Sequence, residues 1–240
     1  MFRFEFCLPT TGKVVPSAPE WFHEIKYDGF RLRVARDGAR VRLITRGGHD
    51  WAKRYPWIVE AALKNRQTRF VIDGEAIILG VDGYSDFNAL HSGRHNDEVE
   101  LIAFDILALD GDDLRNLPLS MRKANLQRLL SRRPDGIFVS DFEQREIGPD
   151  LFRKACEFGL EGLVSKRADR PYRGGRSKDW IKILWGGADG EGLWHSRCSV
   201  QRHQWSATCR NLLKRAGPSP PSSRIARSSP QSRWLNRNGW

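Results

Sequence analysis

The chain has 240 residues, enough to bury a sizeable core as one large domain or two small ones, so its length does not exclude an enzyme. Hydrophobic residues make up 40% and charged residues 29%, and no apolar run approaches the roughly 18 to 20 residues that cross a bilayer, which excludes a helical membrane protein. The net charge of +11 favours a polyanionic partner such as nucleic acid.

The N-terminal stretch MFRFEFCLPT places Arg3 and Glu5 inside its only apolar patch. It lacks the apolar core of a secretory signal, so a cytoplasmic location is expected. Cys7, Cys156, Cys198 and Cys209 form no CxxC pair and read as reduced thiols, not as a disulfide framework or a zinc site. Residues 21–27, 31–35 and 41–45 read as three strands of one meander, with Asp37-Gly38 as the second turn. Helical spacing follows over 51–66, where Trp57, Ile58, Ala61, Ala62 and Leu63 recur and Pro56 belongs in the first turn. Residues 70–79 and 99–109 are β-rich, and a helix starting at Ser120 runs to about residue 131 with Leu126, Leu129 and Leu130 on one face. A strand over 137–140, a helix over 148–158 and strands over 162–166 and 180–184 complete the ordered text. The order predicts an α+β fold of mostly antiparallel sheets flanked by helices. No Walker-type phosphate loop, dinucleotide fingerprint or internal repeat occurs.

From Leu184 onward the composition changes. Nine Arg or Lys against two acidic residues give this stretch +7 of the total charge, and it carries five of the nine tryptophans and the run PSPPSS. Apolar patterning of period 2 or 3.6 is absent. Residues 1–183 therefore read as the folded domain, and 184–240 as an irregular basic tail, either disordered or read in a shifted frame.

Chemistry begins at Lys26, in Glu24-Ile25-Lys26-Tyr27-Asp28-Gly29-Phe30-Arg31. A lysine amine attacks phosphorus or carbonyl carbon only when neutral, and burial or a nearby cation depresses its pKa toward that state. Alone, the segment also reads as a hairpin turn with a solvated lysine. It is followed by Thr45-Arg46-Gly47-Gly48 at a strand end, Asp73-Gly74-Glu75 interrupting an apolar strand, Phe104-Asp105 within another, Glu161 to Lys166, and Asp179 to Lys182. Charges inside apolar strands are costly unless they are paired, hold a metal or face a ligand cleft. Arg173, Gly174, Gly175, Arg176 and Lys178 form a basic segment suited either to a phosphate backbone or to a solvated loop. His49, His91 and His95 are isolated and receive no role.

In order and spacing, KYDG, TRGG, IDGE, FDIL, EGLVSK and DWIK resemble the nucleotidyltransferase motifs of ATP-dependent DNA ligases, above all the ligase domain of bacterial non-homologous end-joining ligases. The resemblance spans about residues 8 to 183. It implies a nucleotidyltransferase (ATP-grasp-like) fold in which Lys26 attacks the α-phosphate of ATP, expels pyrophosphate and carries AMP as a phosphoramidate. That AMP passes to a 5′-phosphate at a DNA nick, and the 3′-hydroxyl displaces it. Lys166 and Lys182 are implied phosphate contacts, Arg31 and Arg46 lie near the nucleotide phosphate or the nick, and Glu24 is near the nucleotide. Glu75 and Glu161 offer hard oxygens suited to Mg2+ or Mn2+ or to ribose hydroxyls. Phe104 offers a face for adenine, worth about 1–3 kcal/mol by analogy with other base-stacking sites, or is ordinary sheet core. Arg46, Arg173 and Arg176 are the implied contacts to nicked or broken duplex DNA.

Two features depart from the family. Its last motif usually reads lysine, any residue, lysine, but Leu184 stands two residues after Lys182. Nothing in 184–240 fits the OB-fold domain that follows in full ligases, so end-joining proteins or a separate clamp-supplying polypeptide become expected partners of a monomeric core. An RNA ligase or capping-type nucleotidyltransferase, a truncated remnant that binds ATP or DNA without efficient turnover, and a basic DNA-binding accessory protein remain the alternatives.

Overall fold

The computed structural model describes residues 4–80, 83–132 and 135–185. Of the tail read over 184–240, Leu184 is the last residue of a strand, and residues 186–240 lie outside the described residues. In chain order the elements are β1 (Cys7–Thr11), β2 (Trp21–Ile25), β3 (Phe30–Asp37), β4 (Arg40–Thr45), α1 (Pro56–Lys64), β5 (Arg69–Ile77), α2 (Phe87–Ser92) and β6 (Glu100–Leu109). They continue with β7 (Asp112–Asp113), α3 (Leu119–Leu129), β8 (Ile137–Val139), β9 (Phe142–Gln144), α4 (Gly148–Glu157), β10 (Gly162–Arg167) and β11 (Gly175–Leu184). The expected α+β class with mostly antiparallel sheets holds; only β1 with β11 and β6 with β8 pair in parallel among the described strands.

The strands form two sheets, ordered β1-β11-β10-β2-β9 and β4-β3-β5-β6-β7, with β8 added beside β6. The expected meander is corrected: β2 belongs to the first sheet, and only β3 and β4 form a hairpin in the second. Pairing of β2 continues to Lys26, whose N–H donates to the Gly162 carbonyl at 2.9 Å, and the chain then crosses to the other sheet by Gly29. A Cβ on Gly29 would run into the Ala76 carbonyl and lie 2.9 Å from Ile77 Cγ2, so the crossing runs directly against β5. The hairpin turn is Gly38-Ala39, one residue later than expected, because Asp37 pairs with Arg40 and Gly38 takes φ +60°.

Proline at the first position of α1 suits its missing N–H, and the helix expected from 51 starts at Pro56, after a turn over 52–54. The strand expected over 180–184 begins at Gly175, so much of the basic glycine-containing segment is sheet. Unforeseen elements are short: β1 carries Pro9 at a sheet edge, and α2 has six residues between the Asp86 side-chain cap and left-handed Gly93.

Three buried clusters separate the layers. The largest joins β3 to β6 with α1 and α3 through Leu32, Val34, Ile58, Ile72, Leu101 and Leu126. A second lies between the sheets and contains Cys7, Leu107, Tyr172 and Trp180, with Val71 and Phe104 at its border. The third seats α4 on the outer face of the first sheet through Ala155, Leu163 and Ile183. Gly74 marks the tightest approach of β5 to β6: a Cβ there would meet the Ile102 carbonyl at 2.7 Å and Leu101 Cγ at 2.9 Å. Gly74→Ala is expected to cost about 1–3 kcal/mol, read as a lower urea midpoint at unchanged m-value.

Candidate active site

Cross-strand pairing puts Glu24, Val164 and Lys182 in one row of the first sheet and Phe22, Lys166 and Trp180 in the next. Residues two apart on a strand share a face, so Glu24, Lys166, Trp180 and Lys182 point the same way. Ile25, Leu163, Ile181 and Ile183 have the opposite parity and pack with α4. The charged face therefore looks toward the second sheet, where Arg31 pairs with Glu75 and Arg33 with Asp73. Apolar side chains fill the outer surfaces of the two sheets, and the polar ones converge between them.

Lys26 stands where β2 leaves its sheet. Its ammonium forms an ion pair with Glu161, and the two side chains are 24% and 23% exposed, open enough to meet a ligand. Burial raises the Glu75 carboxyl to about 7; Arg31 and Lys26 oppose the rise, while Asp73 and Glu161 add to it. Glu75 and Glu161 therefore act on each other and on Lys26. Among the described residues no group of three or more metal-ligating side chains occurs. Two carboxylates facing a cation-lined space nonetheless fit Mg2+, which commonly takes one or two carboxylates and completes its shell with water and substrate phosphates.

Glu24 lies deeper. It is 3% exposed, and its oxygens meet Lys123 Nζ and Lys166 Nζ, each at 2.8 Å, with those lysines 1% and 2% exposed. Burial by itself would raise the Glu24 carboxyl, but the two lysines overcome it and hold it below the ordinary carboxylate range. Burial pushes the Lys166 ammonium down to about 8, with Glu24 pulling the other way and Lys123 adding to the fall. That ammonium also sits 4.0 Å from the Phe104 ring centroid and 4.3 Å from that of Trp180.

Arg31 gives Nε and Nη2 to Asp73 at 2.9 and 2.7 Å, and its guanidinium lies 4.7 Å from the Phe104 centroid. The Tyr172 hydroxyl donates to the same Asp73 at 2.7 Å and accepts from the Cys7 N–H at 2.9 Å. Phe104 thus borders the inter-sheet core and carries cations beside its ring. The structure brings Lys26 to Glu161, Glu24 to Lys166, and Arg31 and Lys166 to Phe104, with Glu75 electrostatically coupled to Lys26 and Glu161. Lys182 is in register with Glu24 through Val164. Arg46 at the end of β4, and Arg173 and Arg176 around the start of β11, are exposed, and none forms an ion pair with this cluster among the described residues.

Three participants escape a motif reading: Lys123, Tyr172, and Arg122, which clamps Asp105 at 2.8 and 2.9 Å. A signal for the cations existed. Leu119, Arg122, Lys123, Leu126 and Leu129 are the buried residues of α3, so two charges interrupt an apolar stripe at helical spacing.

The Glu75 shift has a definite pH sign. Its folded-state value stands above the ordinary 4.5, so stability associated with the bound proton is full below about 4.5 and lost as pH rises through about 7. Glu75→Gln is expected to match the parent near pH 4.5 and exceed it by roughly 1–3 kcal/mol at pH 8. Urea unfolding at both pH values measures the difference.

Residues 13–183 match the family described as ATP dependent DNA ligase domain. The multifunctional non-homologous end joining protein LigD of Pseudomonas aeruginosa is 37% identical over 185 residues, covering 75% of this chain and 22% of that protein. A probable DNA ligase of Streptomyces coelicolor is 35% identical over 174 residues, covering 67% of this chain and 34% of that protein. This chain therefore spans about a fifth to a third of the length of these curated relatives. Among solved structures, a mycobacterial DNA ligase D complexed with ATP and MES superposes with a TM-score of 0.67 at 32% identity, covering 77% of this chain and 62% of that one. The ligase domain of Mycobacterium tuberculosis LigD gives 0.65 at 32% identity, covering 74% and 59%. With its motifs gathered between two sheets of the same fold, the chain belongs to the ATP-dependent DNA ligase domain family.

Proposed function

We propose that residues 1–183 are the catalytic nucleotidyltransferase domain of an ATP-dependent DNA ligase, acting in DNA repair and recombination on nicked or broken duplex DNA. The observation that carries this reading is Lys26: a partly open lysine paired with Glu161 at the rim of a cleft lined by Lys166, Arg31 and Glu75. Lys26 gives up a proton, for which Glu161 is the adjacent acceptor, and its nitrogen attacks the α-phosphorus of ATP. The bond to pyrophosphate breaks as the phosphoramidate forms. Attack at phosphorus demands charge neutralisation and in-line placement more than proton transfer, and this cleft is rich in fixed cations.

Lys166 and Lys182 meet phosphate, and Phe104 offers its ring to adenine. Glu75 and Glu161 would hold Mg2+ or Mn2+, whose charge would neutralise the departing phosphates. Arg46, Arg173 and Arg176, all exposed, meet the DNA backbone. The 5′-phosphate of the nick accepts AMP from Lys26, and the 3′-hydroxyl displaces AMP to seal the strand. The polypeptide works as a monomer, with end-joining proteins or a clamp-supplying chain closing over the duplex.

Incubation of the purified chain with α-labelled ATP and magnesium, followed by denaturing electrophoresis and intact-mass measurement, tests the first step. A stable AMP adduct on Lys26 is expected, and Lys26→Ala is expected to lose it completely. Labelling that persists in that variant would remove Lys26 as the nucleophile.

Leu184 favours a second reading, a nucleotide-binding remnant with little turnover. It lies two residues from Lys182 on β11, on the same face, opposite Gly162. A lysine there would add one ammonium to the phosphate-facing side. Leu184→Lys is expected to speed adduct formation by up to about tenfold, the worth of one charge-assisted hydrogen bond. An unchanged rate would show that the missing lysine does not limit the step.

A further inference from the structure

The Glu24 triad is arranged unevenly. Lys123 comes from α3, a helix fastened beside it by the Arg122 to Asp105 clamp, and its ammonium lies 4.9 Å from the Phe142 ring centroid. Lys166 comes from β10, in the first sheet, lies beside its cross-strand neighbour Trp180 and reaches across the cleft to Phe104. Two ammonium groups share one carboxylate, so the buried triad carries one excess positive charge. Either lysine alone would neutralise Glu24.

We infer that Lys123 is the permanent counter-ion of Glu24, which lets Lys166 leave that carboxylate for the phosphates of a bound nucleotide without stranding a buried charge. This rests on the ligase reading, from which the phosphate role of Lys166 comes. An unpaired carboxylate at 3% exposure would be strongly unfavourable, and the Glu24 to Lys123 contact at 2.8 Å removes that cost when Lys166 moves. The excess charge has no internal acceptor in the triad, so an anion entering the cleft supplies the missing partner. Lys166 is the one of the two that faces the cleft, with its ammonium 4.0 Å from the Phe104 ring centroid, whereas Lys123 sits on a helix fastened by the Arg122 to Asp105 clamp. Lys123 is thus a positioning residue: it acts through Glu24 and Lys166 and need not touch nucleotide.

Titration of a nonhydrolysable ATP analogue into the purified full chain separates this role from simple packing. Lys123→Met leaves Lys166 as the sole counter-ion of Glu24, and binding is expected to weaken at least about tenfold. Lys123→Arg keeps the charge and is expected to bind within about threefold of the parent. The decisive variant is E24Q/K123M, which removes a charge pair and restores the triad to one positive charge. It should bind more tightly than Lys123→Met alone. Unchanged binding in Lys123→Met, or weaker binding in E24Q/K123M than in Lys123→Met, would overturn the inference. Should Lys123→Met fail to fold, Lys123→Gln takes its place: binding weakened at least about tenfold supports the role, and binding within about threefold of the parent rejects it. Labelling of the parent with AMP, measured alongside, distinguishes the two layers. A labelled parent with an indifferent Lys123→Met overturns the inference alone, whereas a parent that neither binds nor becomes labelled overturns the ligase reading and the inference with it.

Discussion

The layer between the two sheets is held by its paired charges, above all Asp73 and Asp105, each clamped by an arginine. Asp73, with 0% exposure, accepts two hydrogen bonds from Arg31 and one from Tyr172. Tyr172 in turn accepts from the Cys7 N–H on β1, so a hydrogen-bonded path runs from the second sheet to the first. On the α3 side, Arg122 holds Asp105 and donates to the carbonyls of Leu117 and Arg170, fastening the approach to β11. Well-packed apolar residues would serve stability as well or better, because desolvation offsets most of the gain from a buried ion pair. The value of such a layer is preorganisation. Cations fixed in a dry cleft before a polyanion arrives need little rearrangement to stabilise it.

The glycines of the motifs have a packing cause. Gly29 follows Asp28 where the chain crosses between sheets, with Glu75 Cγ 3.1 Å from the place its Cβ would occupy. Gly74 lies beside Glu75 at the irregular register between β5 and β6. Each glycine therefore lets backbone approach backbone beside a charged residue that faces the cleft. The glycine of each DG pair is the local consequence of pressing the crossing segment against β5 and β5 against β6. Lys26 is carried to the cleft rim by that same crossing.

Strands rich in alternating apolar residues were legible in the sequence to within a few positions, as β3, β4, β5 and β6 demonstrate. Their allocation to sheets was not, because period-2 alternation reports that a face is buried and not which strand buries it. Hence β2 read as a neighbour of β3, although a glycine crossing separates them. The short strands β7 and β9, and β1 with its proline, fall below the length at which alternation is informative; α2 falls below the length at which helical spacing is. The candidate site was legible where a charge interrupts or ends an apolar strand: Lys26, Asp73, Asp105 and Lys166, with Phe104, lie between the two sheets. Lys123 escaped because its helix read as an ordinary amphipathic surface element. Its apolar stripe, followed back from Leu126 by three and four residues, lands on Lys123 and Arg122, and only the fold reveals which carboxylates await them. Tyr172 is beyond sequence reasoning, since its partners Cys7 and Asp73 lie 165 and 99 residues away along the chain.

Glu24 and Glu75 illustrate how a shared cleft assigns different characters to two residues of one type. Both are desolvated, and desolvation alone raises a carboxyl. Glu24 has two lysines to itself and is driven below the ordinary range; Glu75 shares Arg31 and Lys26 with Asp73 and Glu161, and is left at about 7. The difference is one of counter-ion supply, not of burial. Glu24 is accordingly a settled charge around which the lysines are arranged. Glu75 is a carboxylate still short of positive charge. The same burial therefore leaves one carboxylate satisfied by its lysines and another holding its proton up to about neutral pH, because the fixed cations are distributed unevenly between them.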